Sequence, residues 1–310
     1  METEAVLTVS KVIIAAAWSD GELSPEEVES LKDLIFRFSG SFPSAVGITG
    51  RQWAELEIYM DSPVSKDERD RLLTELESTP LNDGDKNEIM AALEEMIEAD
   101  GEVSAEEKEV FKEVANDLDR MHAGALGQMG RGMRGALNRR SRSVRGAPNR
   151  EDYLDEYMEN KIYYRLHQRV GFNDKWLAAS SSDLRKLCAA GGMLARVANA
   201  DHNISDAEFN VLVEALQPAG LGLSRDEAAV IAEVAVSESG KDMDFPRLIR
   251  DFFARTSPQE RRSFVGVMFV IAGADGDISA DEITEIESLS ASLNIPRSEF
   301  HEIKGKYTGS

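Results

Sequence analysis

Apolar residues along this chain recur every three to four positions, in segments separated by glycine, proline and asparagine. This spacing is typical of amphipathic helices, and no stretch of alternating β-branched residues predicts a strand. Turn-forming residues such as Asn82-Asp83-Gly84 separate the segments. The pattern predicts an all-α protein with helices at 4–18, 25–38, 51–60, 65–78, 84–98, 105–118, 174–179, 183–199, 206–217, 225–238, 244–255, 258–274, 280–293 and 297–305.

The helical segments fall into two groups along the sequence, separated by a basic stretch. Between Met121 and Arg150 there are seven arginines and no acidic residue, among many glycines. Few of these residues can build a core, so we interpret the stretch as a flexible linker. We therefore expect an N-terminal helical domain at 1–119, a Gly/Arg-rich linker at 120–150, and a C-terminal helical domain at 151–310 that opens with an extra aromatic helix.

Four segments of nine residues share an Asp, an apolar residue, a Ser and a Glu in one register. The Asp residues lie 80 positions apart in the first pair and 74 apart in the second. Each domain is thus expected to hold a pair of helix-turn-helix motifs. The segments are Ser19 to Glu27, Ala99 to Glu107, Ala200 to Glu208 and Ala274 to Glu282.

Each motif carries the signature of a helix start. Its Ser precedes a helix and is followed three residues later by Glu, which is a capping box worth about 1 kcal/mol for each cap. After the Asp, three copies have a glycine that can take a left-handed conformation, whereas the third has His202. We expect the caps at Ser24, Ser104, Ser205 and Ser279.

The repeated acids also permit a metal hypothesis. The stretch from Asp275 to Glu282 reproduces the second half of an EF-hand calcium loop, but apolar residues occupy most of the earlier ligand positions. The alternatives are therefore structural caps and turns without a cofactor, or a divalent ion held where the acids of the two motifs of one domain meet. The candidate ligands are Asp20, Glu27, Asp100, Glu107, Asp201, Glu208, Asp275 and Glu282.

Paired Ala-Asp-Gly-x-Ile-Ser-x-x-Glu motifs at this separation resemble the TerB-like domains named for bacterial tellurite resistance. The resemblance is strongest from Leu184 to Phe300, and residues 5 to 117 follow the same plan. It implies two tandem all-helical domains with pseudo-twofold symmetry, in a protein of the tellurite-resistance or stress-response type with proposed metal links. It supplies no catalytic residues. This sequence departs from the family pattern at Trp18-Ser19 and at His202.

Net charge and apolar content limit the partners and locations that the sequence predicts. A formal net charge of −22 argues against general nucleic-acid binding, because an acidic surface repels phosphate. Apolar runs are shorter than the roughly 20 residues of a membrane span, and the acidic N-terminus lacks the features of a signal peptide. We expect a cytoplasmic protein without a transmembrane segment. Its single cysteine, Cys188, is expected to be buried.

No spacing of histidines, serines or glycines matches a catalytic or phosphate-binding motif, so we expect a protein that is not an enzyme. The leading hypothesis is a scaffold that binds other proteins through its acidic domains. The alternatives are a divalent-ion sensor or buffer, and a tether that holds an anionic membrane or nucleic acid through residues 121–150. Candidate partner-binding residues are Tyr153, Tyr157, Tyr164, Trp176, Arg139, Arg140 and Arg142.

Overall fold

A computed structural model describes residues 3–18, 21–40, 48–79, 149–170, 179–217, 222–240 and 244–308, with isolated positions between 81 and 116. It divides the chain into two compact units, Met1–Leu154 and Asp155–Ser310. Within these described ranges all regular structure is helical, which confirms the all-α prediction. The predicted helices at 84–98, 105–118 and 174–179 lie outside them, apart from isolated positions.

The first unit is organised around its first helix. From Ala5 to Ala17 every residue of this helix is buried, as expected for a helix with neighbours on all sides. It packs against the three helices that follow it. The elements are α1 (Thr3–Ala17), α2 (Pro25–Gly40), α3 (Gly50–Met60), α4 (Lys66–Glu77) and a 3-10 turn (Arg150–Tyr153).

Local capping explains where α3 and α4 begin. The Thr49 hydroxyl accepts a hydrogen bond from Gln52 N, and Ser65 Oγ accepts one from Glu68 N, each within a capping box. The end of α3 is fixed from outside, because Trp18 Nε1 donates to the carbonyl oxygen of Tyr59 at 2.8 Å. These contacts set the path of the loop between α3 and α4.

The second unit repeats this plan around α7. Twelve of the 18 residues of α7 are buried, and α7 packs against α8, α9 and α10, in the order in which α1 packs against α2, α3 and α4. Cys188 lies in its buried part, where burial raises the pKa of the thiol. The remaining helices are α5 (Leu154–Glu159), α6 (Lys161–Val170), α7 (Ser181–Ala198), α8 (Asp206–Ala215), α9 (Arg225–Ser239), α10 (Phe245–Ala254), α11 (Pro258–Ala272), α12 (Ala280–Ser292) and α13 (Arg297–Thr308).

The aromatic stretch that was predicted as one extra helix consists of the 3-10 turn, α5 and α6. The break falls at Asn160, whose side-chain oxygen accepts a hydrogen bond from Tyr163 N at 3.1 Å and so caps α6. Among the helices of the described ranges, none is both long and apolar enough to cross a membrane.

Candidate functional site

Three of the four repeat motifs have their Ser and Glu in the described ranges, and in all three the pair forms a reciprocal cap. In the motif that starts α8, Ser205 N donates to Glu208 Oε2 at 2.7 Å and Glu208 N donates to Ser205 Oγ at 3.1 Å. The same two bonds join Ser279 to Glu282 and Ser24 to Glu27. All three glutamates are buried. The remaining motif, with Asp100, Ser104 and Glu107, lies outside the described residues.

The motif aspartates organise the turn that precedes the cap. Asp201 Oδ1 accepts a hydrogen bond from Asn203 N at 2.9 Å, and Asp275 Oδ1 accepts one from Asp277 N at 3.4 Å. Such bonds are typical of an Asx turn. Asp20 lies outside the described residues. The aspartates therefore hold turn amides with the side-chain oxygens that the metal hypothesis would assign to an ion.

The residue after each of these aspartates has a left-handed backbone. Its φ is +95° at Gly21, +114° at Gly276 and +65° at His202. A side chain with a Cβ is strained in this region, whereas glycine is not. The third motif therefore contains local strain that the other two avoid.

Replacing His202 with glycine is expected to raise the free energy of unfolding by up to about 1 kcal/mol, because the strain disappears and the exposed imidazole makes no core contact. The matched control is Gly276→Ala. It should lower the free energy of unfolding by about 1–2 kcal/mol, since a Cβ there meets no atom within 4 Å and only the backbone changes. Urea unfolding of the full chain measures both, and equal signs for the two variants would contradict the account.

The two motifs of the second unit lie within electrostatic range of each other. The pKa of Glu282 is raised above its usual range, first by burial and then by the negative charges of Glu208 and Asp201, which together outweigh the hydrogen bonds from Ser279. Glu260 makes the same kind of cap with Ser257 at the start of α11. Its pKa is lowered, first by the hydrogen bond from Ser257 N, with Lys186 Nζ adding to the effect from 3.3 Å. Two equivalent caps thus differ in their electrostatic surroundings.

These opposite shifts predict opposite effects of glutamine, which keeps the cap but carries no charge. Because the folded-state pKa of Glu282 exceeds its unfolded value, the parent loses stability as pH rises through that interval. Glu282→Gln should therefore be more stable than the parent at neutral pH, with the advantage vanishing below about pH 4.3. Glu260→Gln should be less stable at neutral pH, since the lowered pKa of Glu260 adds stability above that value. Thermal melts across this pH range compare the two, and a shared direction would contradict the prediction.

As metal ligands, the acids of the second unit have competing bonds. Asp201, Asp275, Glu208 and Glu282 each engage one oxygen in a turn or a cap. Within the described parts of the chain, no group of three His, Cys, Asp or Glu side chains is arranged to hold a metal ion.

The tyrosines proposed for partner binding have different positions. Tyr164, a predicted partner-binding residue, is fully buried, so its ring is not open to a partner. Its ring makes an edge contact with Tyr157 at 5.3 Å, and Tyr157 and Tyr153 are only partly exposed. The aromatic stretch therefore serves in part as core. Trp176, Arg139, Arg140 and Arg142 lie outside the described residues.

A buried polar cluster in the first unit was not foreseen. Arg150, which the sequence analysis placed in the linker, is 4% exposed and pairs with the carboxylate of Glu68, with Nε to Oε1 at 2.9 Å and Nη2 to Oε2 at 2.8 Å. Its remaining donors bond to the carbonyl oxygens of Ile58 and Ser62 at 3.0 Å and of Pro63 at 2.9 Å. The guanidinium thus satisfies carbonyl groups at the end of α3.

Tyr59 and Glu151 extend this cluster. The Tyr59 ring lies 4.9 Å from the Arg150 guanidinium carbon, and its hydroxyl donates to Glu151 Oε1 at 2.8 Å. Burial raises the pKa of Tyr59, and the Glu151 charge adds to the effect. Burial also acts to raise the pKa of Glu151, but the Lys11 ammonium at 2.8 Å and the Tyr59 hydroxyl hold it below its usual range. The cluster therefore binds the segment around Arg150 and Glu151 to α1 and α3.

Both fully described motifs of the second unit lie in a stretch that matches a known family model. Residues 187–305 match the family model of the tellurite resistance protein TerB. The matching stretch runs from within α7 to within α13. No curated protein and no solved structure matches the chain.

Proposed function

We propose that the chain is a non-enzymatic interaction protein of the tellurite-resistance type, whose TerB domain binds a basic region of a partner protein in the cytoplasm. The observation that carries this proposal is the negative charge of Glu208 and Asp201 beside the buried Glu282, whose pKa is raised first by burial and then by these two charges. A partner that places a positively charged side chain beside Glu282 reduces the repulsion among these three carboxylates. The face formed by the turns of the two motifs is called the acidic face here: Asp201, Glu208, Asp275 and Glu282.

The exposure of the acidic face suits a protein partner. Asp201, Asp275 and Asp277 are exposed, whereas Glu208 and Glu282 are buried. A lysine or arginine can donate to the remaining lone pairs of these carboxylates while the caps and turns stay intact. A divalent ion would need several oxygens to turn toward it, and each of these carboxylates already holds a backbone amide with one of its oxygens. The geometry therefore favours a basic protein surface over an ion.

The helix packing and capping of the first unit support the proposal that it is a second, similar domain. Its central helix α1 packs against α2, α3 and α4 as α7 of the TerB domain packs against α8, α9 and α10. Ser24 and Glu27 form the same cap at the start of α2 that Ser205 and Glu208 form at the start of α8. We extend the proposal to two TerB-like domains in one scaffold, which raises the effective concentration of a partner that contacts both.

The test compares partner capture by the tagged full chain with capture by an Asp201→Asn/Asp275→Asn variant. A Glu214→Gln/Asp226→Asn variant is the matched control, because it removes two exposed acids elsewhere in the TerB domain. Partners retained by the parent and the control but lost by the motif variant are the expected result. Salt should weaken their binding steeply. Equal capture by all three chains would contradict the proposal.

A divalent-ion sensor is the second candidate, because carboxylates of the two motifs lie within electrostatic range of each other. Thermal melts in chelator and then in calcium, magnesium, manganese or zinc test it. A midpoint raised by an ion in the parent, but not in the Asp201→Asn/Asp275→Asn variant, would favour the sensor over the protein-binding function. Tethering through residues 121–150 stays a prediction, since apart from Asn149 and Arg150 that stretch lies outside the described residues.

A further inference from the structure

The pocket that holds Arg150 has the chemistry of an arginine-recognition site. It offers the carboxylate of Glu68 and the carbonyl oxygens of Ile58, Ser62 and Pro63, and these are all acceptors. They contact Nε and both terminal nitrogens of the guanidinium. A lysine ammonium presents its donors from a single nitrogen and cannot reproduce this planar arrangement.

The acceptors of the pocket come from a different part of the chain than the segment that fills it. Its acceptors come from the end of α3, the following loop and the first turn of α4. Glu68 is held by its own capping box, since Oε2 accepts from Ser65 N and from Ser65 Oγ, each at 3.2 Å. Arg150 arrives from 82 residues further along the chain. The filling segment is short and has local bonds of its own, such as Asn149 Nδ2 to Asp152 Oδ1 at 3.1 Å. The site and its occupant are therefore distant in sequence, although they belong to one compact unit.

The second unit also has a buried acid that pairs with cations, although this acid belongs to α9, whereas Glu68 belongs to α4. Near the end of α9, which follows α8 as α3 follows α2, the carboxylate of Glu238 is buried. Lys161 Nζ lies 3.5 Å from Glu238 Oε2, and Arg165 Nε lies 3.4 Å from Glu238 Oε1. Cations from the stretch 149–170 therefore contact the last turns of α3 in the first unit and of α9 in the second.

We propose that the Arg150 pocket is a docking site for an arginine-bearing peptide of a partner protein, which Arg150 of the chain itself keeps filled in the resting state. The proposal rests on the proposed function as an interaction protein and names a second surface and its partner chemistry. The residue after the arginine is acidic in the preferred peptide, because Glu151 bonds to Lys11 and to the Tyr59 hydroxyl. The internal segment acts as a competitor, since tethering gives it a high effective concentration.

The test uses the purified full chain and a labelled peptide of residues 147–154, Ala-Pro-Asn-Arg-Glu-Asp-Tyr-Leu. The proteins are the parent and Arg150→Ala, and the control peptide has alanine in place of its arginine. The peptide is expected to bind Arg150→Ala at least tenfold more tightly than the parent. The control peptide should bind neither chain. A folded Arg150→Ala chain that does not distinguish the two peptides would overturn the proposal and leave Arg150 as a fixed anchor.

A second variant keeps the test decisive if Arg150→Ala does not fold. Arg150→Lys retains the charge but fills the pocket poorly, so peptide affinity should lie above that of the parent. Equal, weak binding to Arg150→Lys and to the parent would overturn the proposal. If the folded Arg150 variant binds added parent chain but not the peptide, the occupant of the pocket is a second copy of this chain. That result would reject a partner protein as the occupant. Glu214→Gln/Asp226→Asn, which changes neither the pocket nor the acidic face, should leave peptide binding unchanged. Peptide binding tests the pocket and partner capture tests the acidic face, so either proposal can fail without the other.

Discussion

Replacing Arg150 with alanine is expected to lower the free energy of unfolding of the first unit by about 3–5 kcal/mol, because it leaves the buried carboxylate of Glu68 without its counter-charge. Glu68 is 5% exposed, and the guanidinium provides two of its hydrogen bonds. The variant also strips the carbonyl oxygens of Ile58, Ser62 and Pro63 of a donor. Hydrogen exchange of the α1 amides measures the loss, since α1 is the buried centre of this unit.

Two further substitutions test whether the loss of stability depends on the buried pairing of Arg150 with Glu68. Arg150→Lys should lose less, about 1–3 kcal/mol, because the charge remains while the paired geometry is lost. Arg169→Ala removes an arginine that pairs with Glu233 at the surface, where both side chains are about half exposed. Its cost should stay below about 1 kcal/mol. A loss of that small size for Arg150→Ala would mean that water replaces the guanidinium at Glu68.

Local features of this fold can be predicted because they depend on neighbours in the sequence. The spacing of apolar residues gave helix boundaries within a few residues, as for α7, predicted at 183–199 and found at Ser181–Ala198. Ser205 and Glu208 are three positions apart, so their cap follows from the sequence alone. The same holds for the left-handed turn, where His202 takes the place of a glycine.

Contacts between distant segments could not be predicted in this way. Arg150 stands at the end of a run of arginines, and the composition of that run suggested a solvated spacer. The only sequence signal is that Arg150 is followed at once by Glu151 and Asp152, the first acids after the run. Tyr164 was likewise ambiguous, since an aromatic residue on an amphipathic helix suits a partner surface as well as a core.

The electrostatics of the candidate site also depended on tertiary structure. Glu260 and Glu282 occupy identical positions in two capping boxes, so the sequence gives no reason for their pKa values to move apart. The fold brings Lys186 to one, and Glu208 and Asp201 to the other. A motif therefore predicts the cap, while the charge around it depends on which helices meet.

Replacing Gly192 with alanine is expected to destabilise the second unit, whereas the same change at the preceding glycine is expected to stabilise it. A Cβ at Gly192 would lie 2.3 Å from Ile162 Cδ1 and 2.6 Å from Leu248 Cδ2, so side chains from α6 and α10 would both have to move within a packed core. Such overpacking costs about 1–3 kcal/mol, and the better helix propensity of alanine returns at most about 1 kcal/mol. At Gly191 the nearest atom would be Ala235 Cβ at 3.5 Å, an ordinary contact, so the gain in propensity remains.

A double-mutant cycle separates the steric cost at Gly192 from a general loss of helix stability. Ile162→Val deletes the Cδ1 methyl that crowds the new Cβ, and alone it should cost about 0.5–1.5 kcal/mol. In the Gly192→Ala background the same deletion should cost less or become stabilising, because the cavity it leaves is filled by the added methyl. Urea unfolding of the full chain gives the four free energies. Strict additivity would show that Ile162 does not meet the Cβ, and with it that α6 does not pack against α7 at this glycine.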